Sequence, residues 1–448
     1  MTDIGTSIPS FWQSQCQQPT DLTPLSGDIK VDIAIIGAGF TGLSTARELL
    51  KDDPSLKVAV LEARYVGYGA SGRNGGFNMS LFGLEPEVTV LRWGHQKTAD
   101  AHQYMVKAVD YVRSTVAKYK IDSDYEHTGM LRVAYSERQT KRLEKSLNLF
   151  EKLSIAQNYQ YMSERDVQDT VHSPRFRAGI FEKNSGILNP YKHVRELKRI
   201  AQDLGADIYE NTPVTHIDRQ GHMVKLTTPQ GSVSCEKLLI AVNAWSGQMR
   251  GLPKIRSRQA PVWTSQIVTP PLSQAQWDEI GWHGRQSIED NRQLIHYFRR
   301  TIDNRFTMGG GNVSFPPKHR LGQMDTAKVF KALGAHVKWL FPNLSNIKFD
   351  YQWGGPVSVN MDMTPEIGFI GDERVVYAAG CIGHGVSLTQ LNGRTIADLL
   401  QGKQTELTDF WIINRKAIPW PPSIVGAAAK RAVLGGLKIW DKFEERGL

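Results

Sequence analysis

The sequence predicts an α/β fold (α+β overall), in which a domain with a largely parallel sheet is interwoven with a second domain built on a mixed or antiparallel sheet. Three observations carry this expectation. Short apolar, β-branched runs read as buried strands near the start, the middle and the end of the chain. Two blocks richer in alternating strands lie between them. A length of 448 residues is also more than one hydrophobic core usually organises.

Taken in order, Val31 to Ile36 is a buried strand, Thr41 to Lys51 has helical apolar spacing, and Val58 to Leu61 is a second strand. Strand, helix and parallel strand in that order make a right-handed βαβ unit. Residues 91–120 read as a long helix, followed by a short strand from Met130 to Tyr135 and a charged helix. A helix from His193 to Leu204 precedes strands at Ile208–Asn211, Val214–Asp218, Val224–Thr227, Val233–Cys235 and Leu238–Val242. A strand-rich section over 259–313 includes Leu294–Arg299 and Arg305–Gly309, and a helix follows near 325–340. From Val375 to Leu400 the pattern is strand, glycine-rich turn, helix. The expected division is an N-terminal extension (1–29) running over the surface, a nucleotide domain (30–90, 168–250, 350–402), a substrate domain (91–167, 251–349) and a helical tail (403–448).

The turn Gly37-Ala38-Gly39-Phe40-Thr41-Gly42 has the GxGxxG spacing, sits directly after a strand and opens a helix. Gly37 permits the tight turn, Gly39 lets the backbone approach a pyrophosphate, and Gly42 allows close packing of helix on strand. The helix N-terminus offers free N–H groups to the phosphates. Glu62, followed by Ala63 and Arg64, stands at the end of the next strand, where a carboxylate accepts ribose hydroxyls. These parts together predict a Rossmann-like dinucleotide site and do not separate FAD from NAD.

The segment Gly69-Ala70-Ser71-Gly72-Arg73-Asn74-Gly75-Gly76-Phe77 is rich in small residues, which suits a backbone wrapped closely around a bulky planar ligand. It resembles the second flavin motif of the D-amino acid oxidase, glycine oxidase and sarcosine oxidase superfamily. It is most similar to the branch containing gamma-glutamylputrescine oxidoreductase, whose members show a similar GASGRNGG stretch. Gly380-Cys381-Ile382-Gly383-His384-Gly385-Val386 likewise resembles the family's G-x-x-G-H-G turn, which feeds a helix near the flavin. The resemblance spans most of residues 30–402 and implies an FAD-binding domain of the glutathione-reductase type. It implies adenine-side contact from Val214, in Thr212-Pro213-Val214, and contact near the ADP moiety from Asn243, Ala244 and Trp245.

The family reaction implied is hydride removal from an amine-bearing carbon to the flavin, then hydrolysis of the imine. It needs a neutral amine, a carbon close to the flavin and a dry pocket. Two positions where sarcosine-type relatives hold a substrate carboxylate with a cation fall here at Ser387 and Asn78. An amine without an adjacent carboxylate is therefore expected, since a buried carboxylate without a partner is costly. The lysine that assists oxygen in those relatives falls at Thr307, so dioxygen and another electron acceptor both stand as oxidants. An amino acid oxidase or dehydrogenase is the second reading, and a flavin-binding protein without turnover the third. His384 is read as a residue beside the cofactor. His296, Tyr297 and Arg299 are candidates for the substrate pocket, the first on one face of a strand and the other two on the opposite face. A half-exposed sheet is the plainer alternative. Covalent flavin attachment is not expected, because the region 354–364 lacks the cysteine that sarcosine oxidases use there.

Composition excludes several other classes. The excess of 54 Lys+Arg over 45 Asp+Glu is scattered, without a basic run or a nucleic-acid module. Cys16, Cys235 and Cys381 form no metal-binding pattern, and no metal is expected. The N-terminus lacks the basic start and apolar run of a signal peptide, and the cysteine usage fits a reducing, cytoplasmic setting. After Pro419-Trp420-Pro421-Pro422, with Ser423 as N-cap, a helix is expected to about Glu445. Val433, Leu437 and Trp440 share one face, with Lys430, Arg431, Lys438 and Lys442 supplying charge. Contact with a membrane surface is the sharper reading and packing against the body or a second subunit the plainer one.

Overall fold

The computed structural model describes residues 8–17, 22–219, 221–316, 321, 326–421 and 423–445. Two eight-stranded sheets organise them. The first runs Glu366–Phe369, Val375–Ala379, Gly231–Ile240, Gly27–Ile36, Val58–Leu61, Asp207–Tyr209, with Val224–Thr228 and His216–Asp218 attached beside the third strand. Its central strands are parallel, Ala34 standing beside Ala59 and Leu238. Each is buried on both faces, which is why these runs are continuously apolar rather than alternating. The helices Phe40–Asp52, Pro190–Asp203 and Gly385–Leu400 cover one face of this sheet. The strand at Gly231 continues unbroken to Ile240, joining what the sequence divides in two.

The second sheet runs Tyr351–Val359, Ala260–Pro271, Arg305–Gly310, His296–Arg300, Ser287–Asp290, Met130–Ala134, Ala178–Glu182, Tyr159–Met162. It is antiparallel except where Ser287–Asp290 runs parallel to Met130–Ala134. One face carries Leu131, Ile267, Ile288, Phe298, Phe306 and Met308, which form a core with the helix Ala327–Leu340. The other face turns toward the first domain.

Ala178–Glu182 and Tyr351–Val359, assigned from the sequence to the nucleotide domain, hydrogen-bond into the second sheet. Short apolar runs look alike in either sheet, so only pairing distinguishes them. Within the N-terminal extension, the described residues 10–13 are buried rather than on the surface. Phe11–Ser14 forms a helical turn capped by Ser10, with Phe11 and Trp12 buried. Ser10 Oγ donates to Gly72 O (2.8 Å) and Trp12 Nε1 to Asn74 O (2.8 Å), so this turn clasps the second glycine-rich segment. Its polar composition hid two large anchors.

The helix Pro86–Tyr119 breaks at Gly94, whose φ of 80° lies outside helical space. The C-terminal helix Ser423–Glu444 packs on the body through polar contacts. Asp441 accepts Gln293 N (2.6 Å) and Leu294 N (3.1 Å), and Glu444 pairs with Arg142 (2.5 Å). Ile439, Trp440 and Phe443 face outward. The side chains of Ser423, Lys430, Arg431 and Val433, named above, lie outside the described residues. Among the described residues no helix is long and apolar enough to cross a membrane.

Candidate cofactor and substrate site

A cleft follows the C-terminal ends of the parallel strands, where open α/β sheets bind their ligands. One part, of about 920 Å³, is lined by Gly37, Glu62, Ala63, Gly69, Val214 and Trp245 among others. The other, of about 720 Å³, is lined by Phe40, Thr41, Asn74, Gly380, Gly383, Gly385 and Val386 among others. The two share Gly39, Ala70, Ser71, Ala241 and Asn243, so they form one continuous trough.

The glycines of the first turn do what their spacing requires. A Cβ on Gly42 would lie 2.0 Å from Gly37 O, and Gly37 itself has φ +106°. A Cβ on Gly39 would meet only Ser71 Oγ at 2.8 Å, so this backbone is open to the trough. The next turn, Gly67-Tyr68-Gly69-Ala70-Ser71-Gly72, repeats the spacing and the contact: a Cβ on Gly72 would lie 2.1 Å from Gly67 O. This second GxGxxG is legible in the sequence but lacks the preceding buried strand that draws attention to the first.

The Glu62 carboxylate accepts Ala38 N and Arg64 N, each at 3.0 Å, which fixes it at the rim of the larger compartment. Burial holds its carboxyl above the usual range. Trp245 Nε1 is buried without a partner among the described residues, and its ring lies against Gly69. At the other compartment the helix Gly385–Leu400 begins without a side-chain cap, its first turn facing the trough. His384 occupies the capping position; burial, with a smaller push from the Arg132 guanidinium, lowers its imidazole to about 4. Its Nδ1 has no partner among the described residues. A neutral histidine beside an open helix N-terminus can present a hydrogen bond to an electron-rich ring edge.

Arg64, Arg73, Gly75, Gly76 and Ala244 stand behind the trough surface rather than on it. Arg73 donates to Tyr68 O (2.8 Å), Ile8 O (2.7 Å) and Gly354 O (3.1 Å), while its own carbonyl accepts Gln266 Nε2 (2.6 Å) and Trp353 Nε1 (2.9 Å). Asn74 braces the loop by donating to Ala70 O and accepting Gly76 N. Gly76 has φ +76° and abuts Leu188 O, and Asn243 Oδ1 accepts Ser358 N (3.0 Å), tying the two domains together.

The second sheet meets this loop with its other face. Register puts Trp353, Gln266, Gly309, Tyr297 and Glu289 in one row across five strands. A Cβ on Gly75 would lie 3.1 Å from the Tyr297 ring, and Phe77 packs edge-on to it (5.7 Å). Arg299, two residues on, lies over Trp12 (4.6 Å) and donates to Leu188 O (2.8 Å). His296 lies on the opposite face. Its Nδ1 meets Asp290 Oδ2 (2.7 Å) and its ring stacks on His336 (3.8 Å). Asp290, His296 and His336 are close enough to be weighed as metal ligands. The two rings are nearly parallel at 15°, so their in-plane lone pairs do not converge on one ion. The sequence placed His296, Tyr297 and Arg299 in one region; the structure brings only Tyr297 and Arg299 to the loop. This strand is buried on both faces rather than half-exposed. Asn78 Nδ2 donates to Val109 O (3.2 Å), with its Oδ1 unpartnered among the described residues, and Ser387 Oγ donates to Met79 O (2.7 Å).

Fold and trough together define a dinucleotide-binding protein whose glycine turns, rim carboxylate and open helix fit an adenine dinucleotide carrying a planar ring. Residues 32–399 match the family model of FAD dependent oxidoreductases called DAO, and the chain belongs to that family. It is 31% identical to the probable oxidoreductase OrdL of Haemophilus influenzae, over 90% of each chain. It is 29% identical to gamma-glutamylputrescine oxidoreductase of Escherichia coli, over 92% of this chain and 93% of that one. Its fold is similar to glycine oxidase of Geobacillus kaustophilus (TM-score 0.71, 20% identity, covering 86% of this chain and 99% of that one). The protein is thus an FAD-dependent oxidoreductase.

Proposed function

We propose that the protein oxidises the C–N bond of an amine whose reacting carbon bears no carboxylate, with FAD held non-covalently. When bound, FAD supplies the acceptor for the substrate's hydride. The chain's own residues hold it and shape the pocket. Gly39 leaves its backbone open to the diphosphate and Ser71 keeps its hydroxyl hydrogen for it, Glu62 receives the ribose, and Val214 and Trp245 enclose the adenine end. Tyr297, Phe77, Met79 and Met130 form an apolar wall that excludes water, and the oxidised substrate hydrolyses to a carbonyl compound.

The observation that carries this reading is the state of the cations on the sheet face opposite the loop. Arg132 pairs with Glu85 (2.5 Å) and approaches Glu289 (3.5 Å), while Arg299 is stacked on Trp12 and bonded to Leu188 O. Arg132 is held by carboxylates, whereas Arg299 has no carboxylate partner and its buried Nε is unpartnered among the described residues, so the case against an α-carboxylate rests on Arg132 and on the neutral side chains at Asn78 and Ser387. The similarity to an enzyme named for gamma-glutamylputrescine supports a polyamine conjugate as substrate. The test is anaerobic reduction of the bound flavin by a panel of amines, polyamine conjugates and amino acids, followed by admission of air. Bleaching by amines and not by α-amino acids is expected; bleaching by amino acids alone overturns the proposal. Rapid reoxidation in air would mark an oxidase, and slow reoxidation an enzyme that uses another acceptor.

A further inference from the structure

We infer that Glu289 is the seat for a cationic nitrogen of the substrate, and that the protein selects alkylammonium compounds through it. This rests on the amine reading above and deepens it.

The argument begins with register. Glu289 stands directly across from Tyr297 in an antiparallel pair, and Arg132 stands beside Glu289 in the neighbouring parallel strand. Residues paired in this way project to the same side, with Cβ atoms about 5 Å apart. Tyr297 touches Gly75 of the loop that resembles a flavin motif, so Glu289 lies one strand over from that contact. Phe77, Met79, Met130 and Tyr297 cluster beside it, giving the surroundings a largely apolar wall.

Charge within this patch is unbalanced. Arg132 is the cation against Glu85, Glu289 and Glu182, the last standing across from Met130 on the same face. Arg132 spends its closest contact on Glu85 (2.5 Å), and Glu182 accepts Ser80 N and Ser80 Oγ. Glu289, 3% exposed, is left with Arg132 Nη2 at 3.5 Å. Burial, opposed by Arg132 and reinforced by neighbouring carboxylates, holds its carboxyl up at about 7. A buried carboxylate so weakly compensated gains from any cation that enters beside it.

A second, independent observation points to a ligand. Ser287 Oγ, fully buried and two residues before Glu289 on the same side of the strand, has no partner among the described residues. On the same face Thr307 Oγ1 and Gln266 Oε1 are likewise buried and unpartnered. Buried polar atoms are nearly always paired, so these three oxygens, together with the unpartnered Nε of Arg299 that stands across from Thr307 on the same face, mark a space that expects polar groups from elsewhere. An ammonium donates three hydrogen bonds and accepts none, which matches a carboxylate and these hydroxyl and amide oxygens.

The test uses the FAD-loaded enzyme and two unreactive probes, n-butylguanidinium and n-butyrate, each titrated while the flavin spectrum is followed. The cation is expected to perturb the spectrum and to compete with the amine that reduces the flavin, and butyrate to do neither at equal concentration. In Glu289→Gln, compared at equal FAD loading, binding of butylguanidinium should weaken about tenfold or more. Tight butyrate binding without cation binding overturns the assignment, as does wild-type affinity in Glu289→Gln. If that variant does not load FAD, the two probes on the wild-type enzyme decide. Binding of butylguanidinium that depends on Glu289, in a protein whose flavin no amine reduces, would sink the redox proposal while leaving the cation seat standing.

Discussion

Ser71 Oγ accepts a 3.0 Å hydrogen bond from Phe40 N, the first backbone N–H of the helix that follows the first glycine turn. Two turns of the same GxGxxG spacing are thereby locked face to face, and both line the trough. Replacing Ser71 with Ala removes one neutral hydrogen bond from this junction. FAD affinity should fall about tenfold, given roughly 1 kcal/mol for such a bond plus the cost of an unpaired N–H. Equilibrium titration of the FAD-free protein, followed by flavin fluorescence, measures it.

Gly72→Ala tests the second turn more severely. The added methyl would sit 2.1 Å from Gly67 O and 2.9 Å from the Tyr191 ring, so the turn must shift as a unit. The variant should purify with little or no yellow colour, read as the ratio of absorbance near 450 nm to that at 280 nm. Gly436→Ala, at a position with neither a positive φ nor any atom within 4 Å of the new methyl, is the control for adding a methyl without a clash.

Cys381 lines the smaller compartment, yet burial raises its thiol, which disfavours the nucleophilic thiolate. Acid precipitation of the holoenzyme should leave the yellow colour in the supernatant. Colour in the pellet would show a covalent bond to flavin, and Cys381→Ser would then identify or exonerate this thiol.

His193 is fully buried, between Ser123 Oγ (3.2 Å) and Gln390 Oε1 (3.0 Å), and burial lowers its imidazole to about 4. Its folded pKa therefore lies below the unfolded value of about 6.5, and between the two the unfolded chain binds the extra proton. Stability should fall as pH drops from about 6.5 toward 4, by on the order of 1–3 kcal/mol for this residue. His102, also held near 4 by burial, adds to the same window. His193→Gln should flatten the pH dependence of Tm in that interval, measured by calorimetry with FAD in excess.

The sequence by itself determined the elements whose physics is local. GxGxxG after a β-branched run specifies the turn and the helix N-terminus, because a side chain at Gly42 would strike Gly37 O whatever surrounds it. The rim carboxylate Glu62, the loop from Gly69 to Gly76 and the turn at His384 were legible for the same reason: each works through backbone geometry and short-range spacing. Tertiary structure alone decided which strands share a sheet: Ala178–Glu182 and Tyr351–Val359 hydrogen-bond into the second sheet, although their apolar runs would fit either. It decided that Phe11 and Trp12 bury against the second glycine turn, that His296 turns away from Tyr297 toward Asp290, and that Glu289 faces Tyr297 across a strand pair. Register and burial arise from contacts between residues far apart in the chain, and a carboxylate's neighbours, unlike a glycine's missing side chain, are not written in the residues beside it.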